Sequence, residues 1–226
     1  MRMANLRLPF SGRVLLFIFL VAFLLTFVQI GILTIAFEKL GLSQRSAFLL
    51  LLTALMGSAI NLPLFRVKSE PLDPETVPEP LRELVRRSMR DFKGVTVIAV
   101  NVGGCLIPLT FSFYLMRHSA LAVMDMVLAT LVVTILCRAL SRPMPGVGIA
   151  LPVFIAPVAA ALAALLLDTQ NSAPLAYISG TLGVLIGADL LRLGDIRKMG
   201  TPVASIGGAG SFDGIFLTGL VAVLLA

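Results

Sequence analysis

The chain has 226 residues, of which 58% are hydrophobic and 13% charged, and its mean hydropathy is +1.01. That composition excludes an ordinary water-soluble globule and makes lipid the solvent for most of the chain. The net charge of +6 does not imply a nucleic-acid partner, because the basic residues sit at the ends of apolar runs instead of forming one continuous patch.

A helix needs about 20 mainly apolar residues to cross a hydrocarbon core of roughly 30 Å. The apolar runs, bounded by charges or by Pro and Gly, predict spans over Val14 to Phe37, Ala47 to Phe65, Val95 to Met116, Ala120 to Leu136, Val147 to Leu167, Pro174 to Leu191 and a last run ending at Ala226. The expected fold is therefore all-α: a polytopic transmembrane helix bundle of about seven spans, forming one domain over residues 1–226. The first run is longer than a signal-peptide core and lacks a small-residue cleavage site, so it is expected to be retained. Arg2, Arg7 and Arg13 precede it, and the Arg/Lys-rich stretch from Arg66 to Lys93, the pair Arg138 and Arg142, and the group Arg192, Arg197 and Lys198 follow alternate spans. The positive-inside rule places these loops and the N-terminus in the cytoplasm and the C-terminus outside. With no export or organelle signal, the expected location is a prokaryotic inner membrane.

Residues 67–93 form the one sizeable hydrophilic segment. Pro71, Pro74, Pro78 and Pro80 predict an extended linker. Leu81, Leu84, Val85, Met89 and Phe92 then recur at helical spacing with Arg82, Arg86, Arg87 and Arg90 between them, which predicts a basic amphipathic helix on an anionic membrane surface, or alternatively a plain solvated connector. Cys105, Cys137 and the single histidine, His118, have no metal-like spacing, so neither a disulfide framework nor a metal site or other cofactor is expected.

Ionisable groups inside spans are expensive unless they face protein or water, which makes them candidates for function. Asp189, in Ile186-Gly187-Ala188-Asp189, precedes Arg192 by three residues and so lies about 5 Å inside the cytoplasmic edge. Asp213 follows Gly207-Gly208-Ala209-Gly210-Ser211-Phe212. Pro202 and these glycines make a poor helix, so an extended approach over Pro202 to Ser211 is expected, with the helix beginning near Ser211 and both carboxyls at similar depth. Irregular backbone there requires a covering of protein or a wet cavity. Asn61 lies five residues from Arg66 and Asn101 about eight from Lys93, placing them about 8 and 12 Å deep in the same leaflet. The asparagines line this cavity or, in the plainer reading, bind helices together next to Gly103 and Gly104. Asp125, on the outer side of the fourth span, reaches outer water.

Two carboxyls a few ångströms apart share one proton, and the pair titrates as a unit. One member then acts as general base and the other as general acid, the logic of aspartic proteases, which need no serine, cysteine, histidine or metal. The placement of Asp189 on the sixth span and of Asp213 on the seventh, within Gly210-Ser211-Phe212-Asp213-Gly214-Ile215-Phe216, resembles the intramembrane aspartyl proteases of the presenilin and signal peptide peptidase group. There one aspartate lies on the sixth span and the other in a Gly-x-Gly-Asp motif opening the seventh. The motif likeness covers about Pro174 to Ala226. Phe212 stands where that motif has Gly, Ala188 where the family usually has Tyr, and no later spans follow. The chain also looks like a bacterial and archaeal membrane family of unassigned function, through Gly57 to Pro63 and Gly207 to Gly219.

The protease resemblance implies Asp189 and Asp213 as catalytic residues, with Asn61, Asn101, Gly210 and Gly214 lining the substrate cavity. The implied partners are the lipid bilayer and a transmembrane peptide, which Val203 to Ile206 could bind as an added strand. The alternatives are a proton- or cation-coupled transporter or channel built on the same polar groups, and a structural or assembly protein whose aspartates only bridge helices.

Overall fold

The computed structural model describes residues 31–71, 79, 82–83, 85–86, 92, 94–144, 148–198, 200–208 and 214–226. The expected first span falls mostly outside them, as do most of the linker and basic helix, Gly210 and Asp213.

The chain is mainly helical, and its centre is α6, Ser172–Val184. Around α6 pack α3 (Ile107–His118), α4 (Val123–Leu140), α5 (Ile155–Leu167) and α7 (Gly214–Leu225). Helix α6 is buried on every side, including Leu175, Ala176, Tyr177, Ile178, Ser179 and Thr181, as expected of an apolar helix inside a bundle. Its neighbours are two-faced. In α4, Ala129, Val133 and Cys137 face the core, while Val127, Leu131 and Ile135 are exposed. An apolar face left open in this way suits contact with lipid, not water. Val123–Leu140 and the continuous helical stretch Ser172–Arg197 are each long and apolar enough to cross a membrane. A third crossing is available if α1 (Gly31–Lys39) and α2 (Gln44–Ser58), bent by 108° at their junction, count as one broken span.

The all-α expectation needs correction. Four of the expected spans are part helix and part strand, among them Val147 to Leu167, which divides into β4, Gly148–Ala150, and α5. Residues Ala47 to Phe65 divide into α2 and β1, Asn61–Lys68. Residues Val95 to Met116 divide into β2, Val95–Asn101, a π-helical turn, Val102–Leu106, and α3. The last run divides into β5, Val203–Ile206, and α7. A small antiparallel pair, β3 (Arg142–Met144) with β4 (Gly148–Ala150), separates α4 from α5.

The causes are local. Pro63 can neither continue a helix nor let Leu62 remain helical, so α2 stops at Ser58. In β2, Val95, Thr96, Val97, Ile98 and Val100 are β-branched, and such residues prefer the extended backbone. The three strands form one sheet in the order β1-β2-β5. Strand β1 runs antiparallel to β2 from Asn61 opposite Asn101 to Lys68 opposite Val95, with a bulge between Pro63 and Phe65. Strand β5 runs parallel to β2, with Val203 opposite Val97 and Ile206 opposite Val100. Ile98 and Ile206 belong to the same apolar cluster as Val133, Leu175 and Leu185, so the sheet is packed onto the bundle. Gly103 makes the tight junction possible: a Cβ there would overlap the Ala54 carbonyl and the Ser58 backbone of α2.

Candidate functional site

Two of the candidate polar groups, Asn61 and Asn101, sit where a strand meets a helical segment, and Asp189 sits where a π-helical turn gives way to a 3₁₀ helix. Asn61 opens β1 just after α2, Asn101 closes β2 just before the π turn, and Asp189 closes a second π-helical turn, Leu185–Asp189, at the end of α6. π turns of this kind are common at functional sites because they turn a side chain away from its helical direction.

Asn101 is 1% exposed, and its amide is fully engaged. Its Oδ1 accepts from the Gly104 N–H at 2.7 Å, and its Nδ2 donates to the Ser58 carbonyl at 2.7 Å and to Asn61 Oδ1 at 3.0 Å. Asn61 Oδ1 also accepts from the Ser205 hydroxyl at 2.6 Å. One side-chain network therefore ties β1, β2 and β5 together at their helix-ward ends.

Asp189 joins this region from the opposite side. Its Oδ2 accepts from the backbone N–H of Gly207 at 2.8 Å, one residue past β5. Gly207 has φ +83°, and a Cβ there would come within 2.6 Å of Cys105 Cβ and 2.7 Å of Gly104 C. Only glycine suits that position, on grounds of both conformation and space. The tight turn continues with Gly208 donating to the Ser205 carbonyl at 3.2 Å.

The segment linking Asp189 to β5 is held along its length. A 3₁₀ helix, Leu190–Lys198, continues α6, and Arg192 in it donates to the Arg138 and Ser141 carbonyls and to the Ser141 hydroxyl while pairing with Asp195. The Arg197 carbonyl accepts from the Ser69 hydroxyl at 2.8 Å and the Glu70 N–H at 2.9 Å. Thr96 Oγ1 donates to the Thr201 carbonyl at 2.6 Å, and the Val97 N–H donates to the Pro202 carbonyl at 3.0 Å. These contacts fix β5 against β2 and bring Gly207 up to Asp189.

Asn61 and Asn101 thus touch directly, and Asp189 meets the same strand–turn segment two residues beyond Ser205. Gly214 is the first residue of α7. Gly210 and Asp213 lie outside the described residues. Asp125 stands apart, in the first turn of α4. It is nine residues, about 14 Å at helical rise, from Thr134, whose carbonyl lies against Gly187 beside Asp189. Ser205 and the hydroxyls of Ser69 and Thr96 escape sequence reasoning. The one signal for Ser205 is that it is the lone polar residue in Val203-Ala204-Ser205-Ile206. Among the described residues no three His, Cys, Asp or Glu side chains converge, so the donors on offer are amides, hydroxyls and one carboxylate.

A family model described as a protein of unknown function (DUF1614) matches residues 55–225. No curated protein and no solved structure matches the chain.

Proposed function

We propose, for a chain that belongs to the DUF1614 family and takes no assigned activity from it, the role of an intramembrane aspartyl protease or a close non-proteolytic relative. It acts as a multi-pass protein of the inner membrane, with about seven crossings, the N-terminus in the cytoplasm and the C-terminus outside. Asp189 and Asp213 form the acid/base pair, and a transmembrane peptide is the substrate.

The observation that carries this reading is the 2.8 Å bond from the Gly207 N–H to Asp189. It binds the first aspartate to the glycine-rich segment that holds the second, six residues further along the chain. In the proposed reaction the ionised carboxyl takes a proton from water as the water oxygen adds to the peptide carbonyl carbon. The protonated carboxyl gives its proton to the carbonyl oxygen. The tetrahedral diol then collapses: the C–N bond breaks, the amine leaves with the proton from the first carboxyl, and a diol hydroxyl returns its proton to the second carboxyl as the C=O bond re-forms.

The sheet supports the same reading, because a peptide must be extended before its amide can be attacked. Strand β1 is a guarded edge, with Pro63, a bulge, Arg66 and Lys68, all features that discourage further pairing. Strand β5 has none of these and lies next to the site, so it is the edge to which an unwound substrate is added. The test is cleavage of a reporter membrane segment by purified protein, with Asp189→Asn and Asp213→Asn each expected to abolish it. Undiminished cleavage in both variants removes the pair from the mechanism.

The broken spans favour a second reading, ion-coupled transport, since transporters bind ions beside interrupted helices. Ion flux into liposomes that is lost in Asp189→Asn, from protein with no cleavage activity, would select it.

A further inference from the structure

The β1 edge of the sheet changes character along its length. Ile60, Leu62, Leu64 and Phe65 are each between 44 and 57% exposed, and the next exposed side chains along the strand are the cations Arg66 and Lys68. At about 3.3 Å per residue, Leu62 and Arg66 are about 13 Å apart. That is close to half of a hydrocarbon core of roughly 30 Å, the depth of one leaflet.

The strand register fixes where the cations stand. Arg66 is opposite Val97 and Lys68 is opposite Val95, and opposed residues place their side chains on the same face of a sheet. Val97 is in turn opposite Val203 of β5. Val95 and Val203 are exposed on this face, while Thr96 and Ile98, on the other, are buried. Arg66 and Lys68 are two residues apart on one strand, about 7 Å, so their long side chains can close on a single group between them. Among the described residues neither makes a side-chain hydrogen bond or ion pair. Glu70, two residues past Lys68, is the nearest acid in sequence. Its N–H donates to the Arg197 carbonyl, so a third exposed basic residue stands at the same corner.

We infer that the β1 edge is a docking site for an anionic phospholipid, with an acyl chain along Leu62, Leu64 and Phe65 and the phosphate between Arg66 and Lys68. Charge complementarity selects the headgroup: two unpaired cations attract a lipid of net negative charge, whereas a zwitterionic lipid brings a cation of its own. The apolar half of the edge selects a lipid over free phosphate, which would leave those side chains uncovered. Pro63 and the bulge beside it disfavour a peptide strand at this edge. The site uses neither Asp189 nor Asp213 and is independent of the protease reading.

The full-length protein in detergent is titrated with dioleoylphosphatidylglycerol and, separately, with dioleoylphosphatidylcholine, and the tightest-bound lipid is followed by native mass spectrometry. The unmodified protein is expected to prefer the anionic lipid. Arg66→Gln with Lys68→Gln is expected to weaken phosphatidylglycerol binding by about 30-fold, near fivefold for each cation, and to leave phosphatidylcholine binding within about twofold. Arg66→Lys with Lys68→Arg keeps both charges and should retain the preference. Leu62→Ser with Leu64→Ser should weaken both lipids alike, by about tenfold, through the lost apolar contact.

The decisive comparison is Arg138→Gln with Arg142→Gln, which removes the same charge from two exposed arginines at the end of α4. It is expected to change phosphatidylglycerol binding by less than about threefold, because diffuse surface charge is screened while a local site is not. An equal loss in this pair would mean that general basicity, not the β1 edge, attracts the lipid. That result, equal affinity of the unmodified protein for the two lipids, or displacement of bound phosphatidylglycerol by excess inorganic phosphate would overturn the inference. Asp189→Asn protein is expected to bind the lipid as the unmodified protein does, whether or not either cleaves a peptide.

Discussion

Gly207→Ala tests the junction between sheet, turn and Asp189 in one substitution. The backbone there has φ +83°, and the new Cβ would stand 2.6 Å from Cys105 Cβ and 2.7 Å from the Cys105 N and Gly104 C atoms. A side chain in the left-handed region costs about 1–2 kcal/mol, and forcing a methyl into closed packing costs about 1–3 kcal/mol more. The gain from a stiffer unfolded chain offsets about 0.4–1 kcal/mol. Gly41→Ala is the matched control, since its φ is +73° but nothing lies within 4 Å of its Cβ position. It therefore bears the conformational cost without the steric one. By the usual size scaling, a net loss of about 2–4 kcal/mol lowers the melting temperature of a domain this long by about 5–15 °C. Thermal unfolding in detergent is expected to show Gly207→Ala melting well below Gly41→Ala. Equal melting temperatures for the two would refute the close approach of the turn to the π-helical segment. Because the same change displaces the Gly207 N–H, its effect and that of Asp189→Asn should not add.

Asn101→Leu leaves the Ser58 carbonyl and the Gly104 N–H unpaired in the interior, at about 1–3 kcal/mol each; thermal unfolding should register the loss, and an unchanged melting point would contradict the network. Among the described residues the buried hydroxyls of Tyr177 and Thr181 meet no partner with good hydrogen-bond geometry, so Tyr177→Phe, which keeps the edge contact of the ring with Phe111, should leave stability unchanged or raise it. A loss above about 1 kcal/mol would mean that the hydroxyl has a partner. In the loop before α6, hydrogen bonds from the Asn171 side chain and backbone and from the Gln170 N–H hold the Asp168 carboxyl below the usual carboxylate range. A depressed folded-state pKa gives stability that is present above the unfolded value of about 3.9 and lost as pH falls through the folded one. Melting temperature should therefore drop on acidification below about pH 4, and Asp168→Ala should flatten that part of the profile.

Helix α4 and the continuous helical stretch that α6 opens, Ser172–Arg197, were legible because each is long and apolar, so composition and length agree. The depths of about 8 and 12 Å expected for Asn61 and Asn101 rest on helical rise, which does not apply to strands; the two side chains meet because the antiparallel register sets them opposite each other. The strands were not legible, for a physical reason. Period-two alternation marks a strand only when one face is wet, and Val95 to Val100 is apolar at every position but Thr96. What remained was the β-branched run and Pro63, both overridden by the expectation that a membrane segment is helical from end to end. That expectation holds where backbone faces lipid. Here the strand ends at Asn61, Asn101 and Ser205 are satisfied by one another, so extended backbone is tolerated beside the bundle. Ser205 could not be singled out because a hydroxyl in an apolar run gives no direction, and its partner on β1 is 144 residues away.

The edge of β5 that is unpaired among the described residues can be blocked without disturbing the sheet. The Val97 N–H donates to the Pro202 carbonyl, and backbone groups alternate along a strand, so Ala204 and Ile206 turn toward β2 while the N–H groups of Val203 and Ser205 point away from it. Val203→Pro removes one outward N–H, and its fixed φ suits a residue that is already extended. Pro202 before it is equally suited to an extended backbone. The melting temperature should stay close to that of the unmodified protein, since no bond to β2 is lost. Ala204→Pro, by contrast, removes an inward N–H and should destabilise the protein in the same assay, which checks the assignment of sides. If an added peptide strand is what β5 binds, Val203→Pro should weaken binding of an apolar octapeptide to Asp189→Asn protein by about tenfold, the worth of one main-chain hydrogen bond. Unchanged binding with intact stability would show that the peptide, if held at all, is held elsewhere, and the guarded features of β1 would then say nothing about β5.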